Sequence, residues 1–278
     1  MADTAVTARV RTAAAGQVPL WARIVVPIAL GITFLALWEL ACHALEIPKF
    51  VLPAPSLIGK SLVDDLPTLL PSLWNTLKVT LAAFAVALVL GVAFAILFSQ
   101  SIVFEISLFP YAVILQVTPI VSVAPLILIW VGLDHIERAL LILATIVAFF
   151  PILSNTTLGL KSVDHNLRNL FDLYHASRWQ RLWELQFPSA LPYLLGGMKI
   201  SGGLSLIGAV VAEFVAGSGN GTGLAWRIIE SGNRLNIPRM FAALVLMSIL
   251  GIVIFFGLSA LQTLLLRKWH ESAVGREN

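Results

Sequence analysis

Charged side chains crowd one stretch of an otherwise apolar chain: Lys161, Asp164, Arg168, Asp172, Arg178, Arg181 and Glu184 follow one another between two long hydrophobic runs. A charge at mid-bilayer costs at least a few kcal/mol, so this segment lies outside the hydrocarbon. Interleaved with the charges, Leu167, Leu170, Phe171 and Tyr174 recur at three- and four-residue spacing. Trp179, Leu182, Trp183 and Phe187 repeat the pattern. That period predicts two short amphipathic helices. An apolar helix face outside the bilayer needs a surface to bury it, either the protein's own core or a partner's groove. The chemistry on offer is therefore docking rather than catalysis. Leu170, Phe171, Tyr174 and Ala176 supply the apolar face, with Asp172, His175, Ser177 and Arg178 around it.

A second set of polar residues lies inside hydrophobic runs. Glu213 ends a stripe of small residues at every fourth position: Gly197, Ser201, Ser205 and Ala209. Small residues let helices approach closely in lipid, and an acidic residue in a membrane run is a functional candidate. Two readings stand for Glu213: an interfacial carboxylate that reaches headgroup water, or a group at the outer mouth of a solute path. Gln116, Thr118 and Ser122 sit among Pro110, Pro119 and Pro125. Proline removes a backbone donor and kinks a helix. Irregular backbone at membrane depth is tolerated where protein or a wet cavity surrounds it. The segment reads either as a kinked, packed helix or as a pathway wall, with Gln116, Thr118, Ser122, Ser201, Ser205 and Glu213 as pathway candidates.

Other chemistry is thin. Ala54-Pro55-Ser56-Leu57-Ile58-Gly59-Lys60-Ser61 approximates a phosphate-binding loop. Such a loop joins a strand to a helix and uses its amides on phosphate. No strand precedes this one and Pro55 removes an amide, so it reads as extended chain entering an amphipathic helix. The five histidines show no ligand spacing, and the single cysteine, Cys42, excludes an intrachain disulfide. No metal or cofactor is expected. No serine-hydrolase or zinc-protease motif is present.

The elements that must position these residues are membrane helices. Of 278 residues, 58% are hydrophobic and only 12% charged, which marks a polytopic membrane protein. Its net charge of +3 is scattered, so no nucleic-acid surface is indicated. Six runs are long enough to span: Ile24 to Leu45, Val79 to Phe98, Ile106 to Val131, Ala139 to Leu158, Ala190 to Ala216 and Phe241 to Leu266. An even number puts both termini on one side. Arg9, Arg11, Arg23, Lys161, Arg168, Arg178, Arg181, Arg267, Lys268 and Arg276 then share the loop's side, which the basic bias makes cytoplasmic. The expected organisation is a tail over 1–23, a six-helix membrane domain over 24–266 with a cytoplasmic loop over 159–189, and a tail over 267–278.

The loop and its flanks resemble the cytoplasmic "EAA" loop of binding-protein-dependent ABC importer permeases, in the branch serving nitrate, taurine, alkanesulfonates and related small molecules. The residues that carry the resemblance are Tyr174-His175-Ala176-Ser177-Arg178, Phe187-Pro188-Ser189-Ala190-Leu191-Pro192, Gly159-Leu160-Lys161, Val211-Ala212-Glu213, Gly221-Thr222-Gly223-Leu224, Leu52-Pro53-Ala54-Pro55 and Arg267-Lys268-Trp269. Two positions depart from the pattern. His175 replaces a glycine, so the reversal there is expected to use ordinary backbone angles, and Phe187-Pro188 replaces a Leu-Pro. The resemblance implies an all-α, six-helix permease of the type I importer (MetI-like) architecture in a bacterial inner membrane. It implies a homodimeric pore, separate ATPase subunits that bind ATP and dock at Leu170 to Arg178, and an extracytoplasmic solute-binding protein.

The competing class is an ATP-independent channel or secondary transporter. That class predicts inverted repeats and paired ionisable residues at mid-membrane, and neither is visible. A membrane enzyme would have to act through Glu213 and little else. The runs Thr118 to Pro125 and Phe149 to Thr156 look most like family members associated with pyrimidine vitamin precursors or riboflavin.

Overall fold

The computed structural model describes residues 20–217 and 223–266; the expected motifs and basic residues at 1–19, 218–222 and 267–278 lie outside them. The chain divides after Leu57 into two compact units.

The first unit is built on α1 (Leu20–Ala44). From Ile24 to Leu37 its apolar side chains are exposed, as suits a helix solvated by lipid, while Cys42 near its end is buried. At its end the Glu39 carboxylate accepts from the Ser56 amide at 2.9 Å and from the Ser56 hydroxyl at 2.7 Å. Ser56 opens α2 (Pro55–Asp64), so a carboxylate satisfies one orphan amide at that helix start. That amide is unavailable to a phosphate, in keeping with the rejection of a nucleotide loop. Glu39 therefore has a specific structural role at the start of α2.

The second unit is built of helices and holds no strand among its described residues. It comprises α3 (Leu66–Gln100), α4 (Ile102–Val117), α5 (Ile120–Val131), α6 (Ile136–Lys161), α7 (His165–Leu173), α8 (Arg178–Gln180), α9 (Phe187–Ala216), α10 (Leu224–Asn233) and α11 (Ile237–Leu266). Among the described residues five helices are long and apolar enough to cross a membrane, and the pair α4 and α5 makes a sixth span if counted as one.

The centre of this unit is α6, held between α3 and α9. Small residues permit the approach. On α3, Ser72, Thr76, Thr80, Ala83, Ala87, Gly91 and Ala95 form a buried stripe. A methyl added at Gly91 would meet Ile152 at 2.7 Å. On α9, a Cβ at Gly197 would meet the Pro151 carbonyl at 2.9 Å, and one at Gly208 would meet Ala144 at 2.8 Å. Both faces thus bring backbone against backbone, which lets dispersion contacts and close-range hydrogen bonds do the work that water exclusion cannot do in lipid.

Two apolar clusters mark the ends of the bundle. At the loop end Phe98, Ala112, Leu153, Leu160, Leu182 and Ala190 pack together, with Leu108 and Phe109 against them. At the far end Ala124, Ile127, Leu128, Ala139, Leu143 and Ala212 do the same. Thus α4 packs at the loop end and α5 at the far end. Together they carry the chain across the bundle despite a bend of 103° between them.

That bend corrects one expectation. Pro110 and Pro125 lie inside helices and interrupt neither; only Pro119 stands at the break. The residue before a proline is pushed from helical to extended backbone. Thr118 has ψ 125° accordingly, ending α4 there. The second span also starts earlier than its apolar run. α3 begins at Leu66, and at about 1.5 Å per residue its 35 residues exceed the bilayer thickness. Its first turns therefore project beyond the hydrocarbon.

Candidate functional site

The segment between α6 and α9 is a folded element. Asp164 caps α7, its carboxylate accepting from the Asn166 amide at 2.8 Å and the Leu167 amide at 3.3 Å. At the other end the Ala176 amide donates to Phe171 O and the His175 amide to Asp172 O, both at 3.0 Å. This double bond pattern is a Schellman motif, which requires a left-handed residue at the position of His175. His175 has φ +54°. The expectation of ordinary backbone angles is therefore wrong: the reversal keeps the glycine geometry and imposes it on a side chain that resists it. Ser177 then starts a new helix through a capping box. Its hydroxyl accepts from the Gln180 amide at 3.2 Å, and the Gln180 side chain accepts from the Ser177 amide at 2.8 Å.

The second predicted short helix is not separate. Residues Arg178–Ala216 form one 39-residue helix. A π-helical turn over Arg181–Gln186 precedes the prolines, with the Phe187 amide reaching back to Leu182 O. Pro188 lies in the first turn of α9 and has no amide to give. The wider turn accommodates the missing donor.

The two amphipathic faces have different fates. Leu182 is fully buried in the loop-end cluster, so the second face settles partly on the protein's own core. The first stays open: Leu167, Leu170, Leu173 and Tyr174 are exposed, and Tyr174 is 80% exposed. Leu170, Phe171, Tyr174 and Ala176 line a groove of about 280 Å³ with Gln180 and Glu184. An ion pair between Asp172 and Arg181 ties α7 to the start of the long helix. Another, between Lys161 and Glu105, ties the end of α6 to α4. α7 is thus connected to α9 by a capped turn, an ion pair and continuous helix.

At the far end Glu213 is 2% exposed and does not reach headgroup water. Its carboxylate accepts from the Thr76 hydroxyl at 2.8 Å and from the Ala225 amide at 3.0 Å. The Thr76 oxygen in turn accepts from the Leu224 amide at 2.9 Å. Two orphan amides at the start of α10 are thereby satisfied by side chains of α9 and α3. A Cβ at Gly223 would collide with the Glu213 carboxylate, which accounts for the glycine. Thr76 was not visible as a partner in the sequence. It lies 137 positions from Glu213 and looks like any apolar-tolerant residue of a span.

The remaining candidates fall in two groups. Ser201 donates to Ala148 O at 2.6 Å and Ser205 to Gly202 O at 2.9 Å; both are fully buried in the bundle. The small-residue stripe of α9 therefore faces α6 of the same chain. Gln116 and Ser122 are exposed and Thr118 half-buried, clustered around the break. The Thr118 hydroxyl donates to Ile114 O at 2.7 Å.

Comparison with known proteins gives a consistent picture. The profile of the family described as binding-protein-dependent transport system inner membrane component matches residues 66–271. The riboflavin transport system permease protein RibX of Chloroflexus aurantiacus is 31% identical over 256 residues, covering 91% of this chain and 92% of that protein. The formylaminopyrimidine transport permease protein ThiX of Halalkalibacterium halodurans is 29% identical over 241 residues, 86% of this chain and 94% of its own. A probable ABC transporter permease protein of Haemophilus influenzae is 27% identical over 240 residues, 85% and 94% respectively.

Proposed function

We propose, from the premise that this chain belongs to the binding-protein-dependent transport system inner membrane component family, that it is the permease subunit of an ATP-driven importer. Separate ATPase subunits dock on α7 and the His175 turn. They bind the ATP, and this chain needs no cofactor of its own. A second copy of the chain completes the pore, and an extracytoplasmic binding protein delivers the solute. The loop faces the cytoplasm of a bacterial inner membrane, as do both termini.

The observation that carries this reading is the open apolar face of α7 joined mechanically to α9. Docked ATPases that close on ATP push α7 as a rigid body, and the bundle switches between inward- and outward-open states. Gln116, Thr118 and Ser122, at the break between α4 and α5, line the path. Ser201, Ser205 and Glu213 act behind it by fixing the helices that form its walls. The solute is a pyrimidine vitamin precursor or a riboflavin-like molecule rather than nitrate, taurine or an alkanesulfonate. The permeases whose names cite riboflavin and formylaminopyrimidine match over 92% and 94% of their length, against 85% and 86% for those named for taurine and aliphatic sulfonates, and that margin supports the choice.

The test is Ala176→Glu. A charge in the groove would be buried unpaired on docking, which costs several kcal/mol. The variant is expected to insert normally, to lose co-purification with the ATPase subunits and to lose uptake. Unchanged ATPase binding and uptake would refute the docking assignment. Equilibrium binding of riboflavin, a formylaminopyrimidine, nitrate and taurine to the cognate binding protein decides the solute.

A further inference from the structure

A cleft of about 260 Å³ opens at the far end between α3 and α6, lined by Lys78, Val79, Ala82, Glu137, Arg138, Leu140 and Leu141 together with Asn75. Its depth in the membrane follows from helix geometry. Lys78 lies 21 residues before Ser99, at the loop-end limit of α3, which is about 31 Å of rise. Arg138 lies 23 residues before Lys161, at the loop-end limit of α6, about 34 Å. The hydrocarbon core is about 30 Å thick. With Ser99 and Lys161 at one boundary, both cations stand at the other, at headgroup level.

Three charged side chains meet there, and all three are exposed. Lys78, Glu137 and Arg138 form no ion pair among the described residues, whose pairs all lie elsewhere. Below them Val79, Ala82, Leu140 and Leu141 give the cleft an apolar floor. Two cations, one carboxylate and an apolar floor at headgroup depth match one chemical class of ligand. The cleft is also smaller than the roughly 300–1,000 Å³ usual for enclosing a drug-sized solute.

We infer that this cleft holds a phospholipid of the leaflet opposite the loop, with its phosphate on Lys78 and Arg138 and a headgroup ammonium on Glu137. The charge pattern selects a zwitterionic amine headgroup, phosphatidylethanolamine, over phosphatidylglycerol. The bound lipid braces α3 against α6 at the end of the bundle that holds the Thr76–Glu213 contact.

The experiment uses the full-length permease, delipidated and reconstituted in nanodiscs of phosphatidylethanolamine, of phosphatidylglycerol, or of an equal mixture, with bound lipid counted by native mass spectrometry. The wild-type chain is expected to retain phosphatidylethanolamine preferentially. Lys78→Gln with Arg138→Gln is expected to lower that retention on the order of tenfold. Glu137→Gln is expected to shift retention toward phosphatidylglycerol, while Lys78→Arg with Arg138→Lys retains the wild-type lipid. Equal lipid retention by the double glutamine variant overturns the proposal. So does displacement of the lipid by millimolar inorganic phosphate, which would mark a site for a free anion.

Discussion

His175 holds a left-handed backbone position that glycine occupies without strain, and it holds it because two backbone hydrogen bonds of the turn demand it. For a residue with a Cβ that conformation costs roughly 1–2 kcal/mol. His175→Gly is therefore expected to stabilise the turn by about 1 kcal/mol and to slow amide exchange at Ala176 about fivefold. His175→Val, β-branched, is expected to do the opposite. Faster exchange in the glycine variant would show that the imidazole itself supports the turn. Glu213 is the second residue whose environment decides its role. Glu213→Ala leaves the Ala225 amide buried without an acceptor, a loss of about 1–3 kcal/mol. Melting temperature and exchange at Leu224 and Ala225 are expected to show that loss, with Glu213→Gln milder because one side-chain oxygen remains. Normal stability together with abolished uptake would instead return Glu213 to the solute path.

At the scale of elements, the ion pair between Asp172 and Arg181 joins two pieces of helix that sequence periodicity separated. A partly exposed pair contributes little to stability, about 0–1 kcal/mol. Its effect is expected in coupling instead. Asp172→Arg or Arg181→Asp alone should lower uptake per ATP hydrolysed, and the double exchange should restore much of it. Equal coupling in single and double variants would mean that the capped turn alone transmits the push. Periodicity found α7 and its apolar face because a 3.6-residue repeat outside the membrane has no other reading. It missed the continuity of Arg178 through Ala216 because Pro188 and Pro192 look like breakers. Pro188 falls where an amide is not needed, and the π-helical turn absorbs the rest. Pro110 and Pro125 misled in the same way. The helices around them hold, and only the pre-proline strain at Thr118 yields a break.

For the molecule as a whole, the alternation of apolar runs and basic loops gave the count of crossings, while contacts between distant segments, such as Arg227 with Ser72 and Arg239 with Asp65, stayed hidden because their partners lie far apart in sequence. The far end carries such a network outside the spans. Arg227 bonds Glu230 at 2.7 Å and Ser72 at 2.9 Å, Arg234 reaches Glu230 at 3.0 Å, and Arg239 lies 3.7 Å from Asp65. The hydrogen bond from Arg227 holds the Glu230 carboxyl below its ordinary value of 4.5 against the opposing effect of burial, and the charges of Arg227, Arg234 and Arg239 add to it. A lowered native value means that this group's contribution to stability is complete above the ordinary carboxylate range and is lost as pH falls through the lowered value. The contribution of Glu230 to the packing of α10 is therefore expected to be lost only in stronger acid, where amide exchange in α10 should accelerate, and Glu230→Gln should remove that acid-dependent part. An acid response unchanged by Glu230→Gln would assign it to other carboxylates. The bend at Pro119 has a separate consequence for biogenesis. α4 and α5 rise about 24 Å and about 18 Å, each short of a hydrocarbon core of about 30 Å. Neither half can be released into lipid as a finished span. Because α5 packs against α6 in the far-end cluster, the bent arrangement of the third crossing is expected to be reached only once α6 is in place beside it.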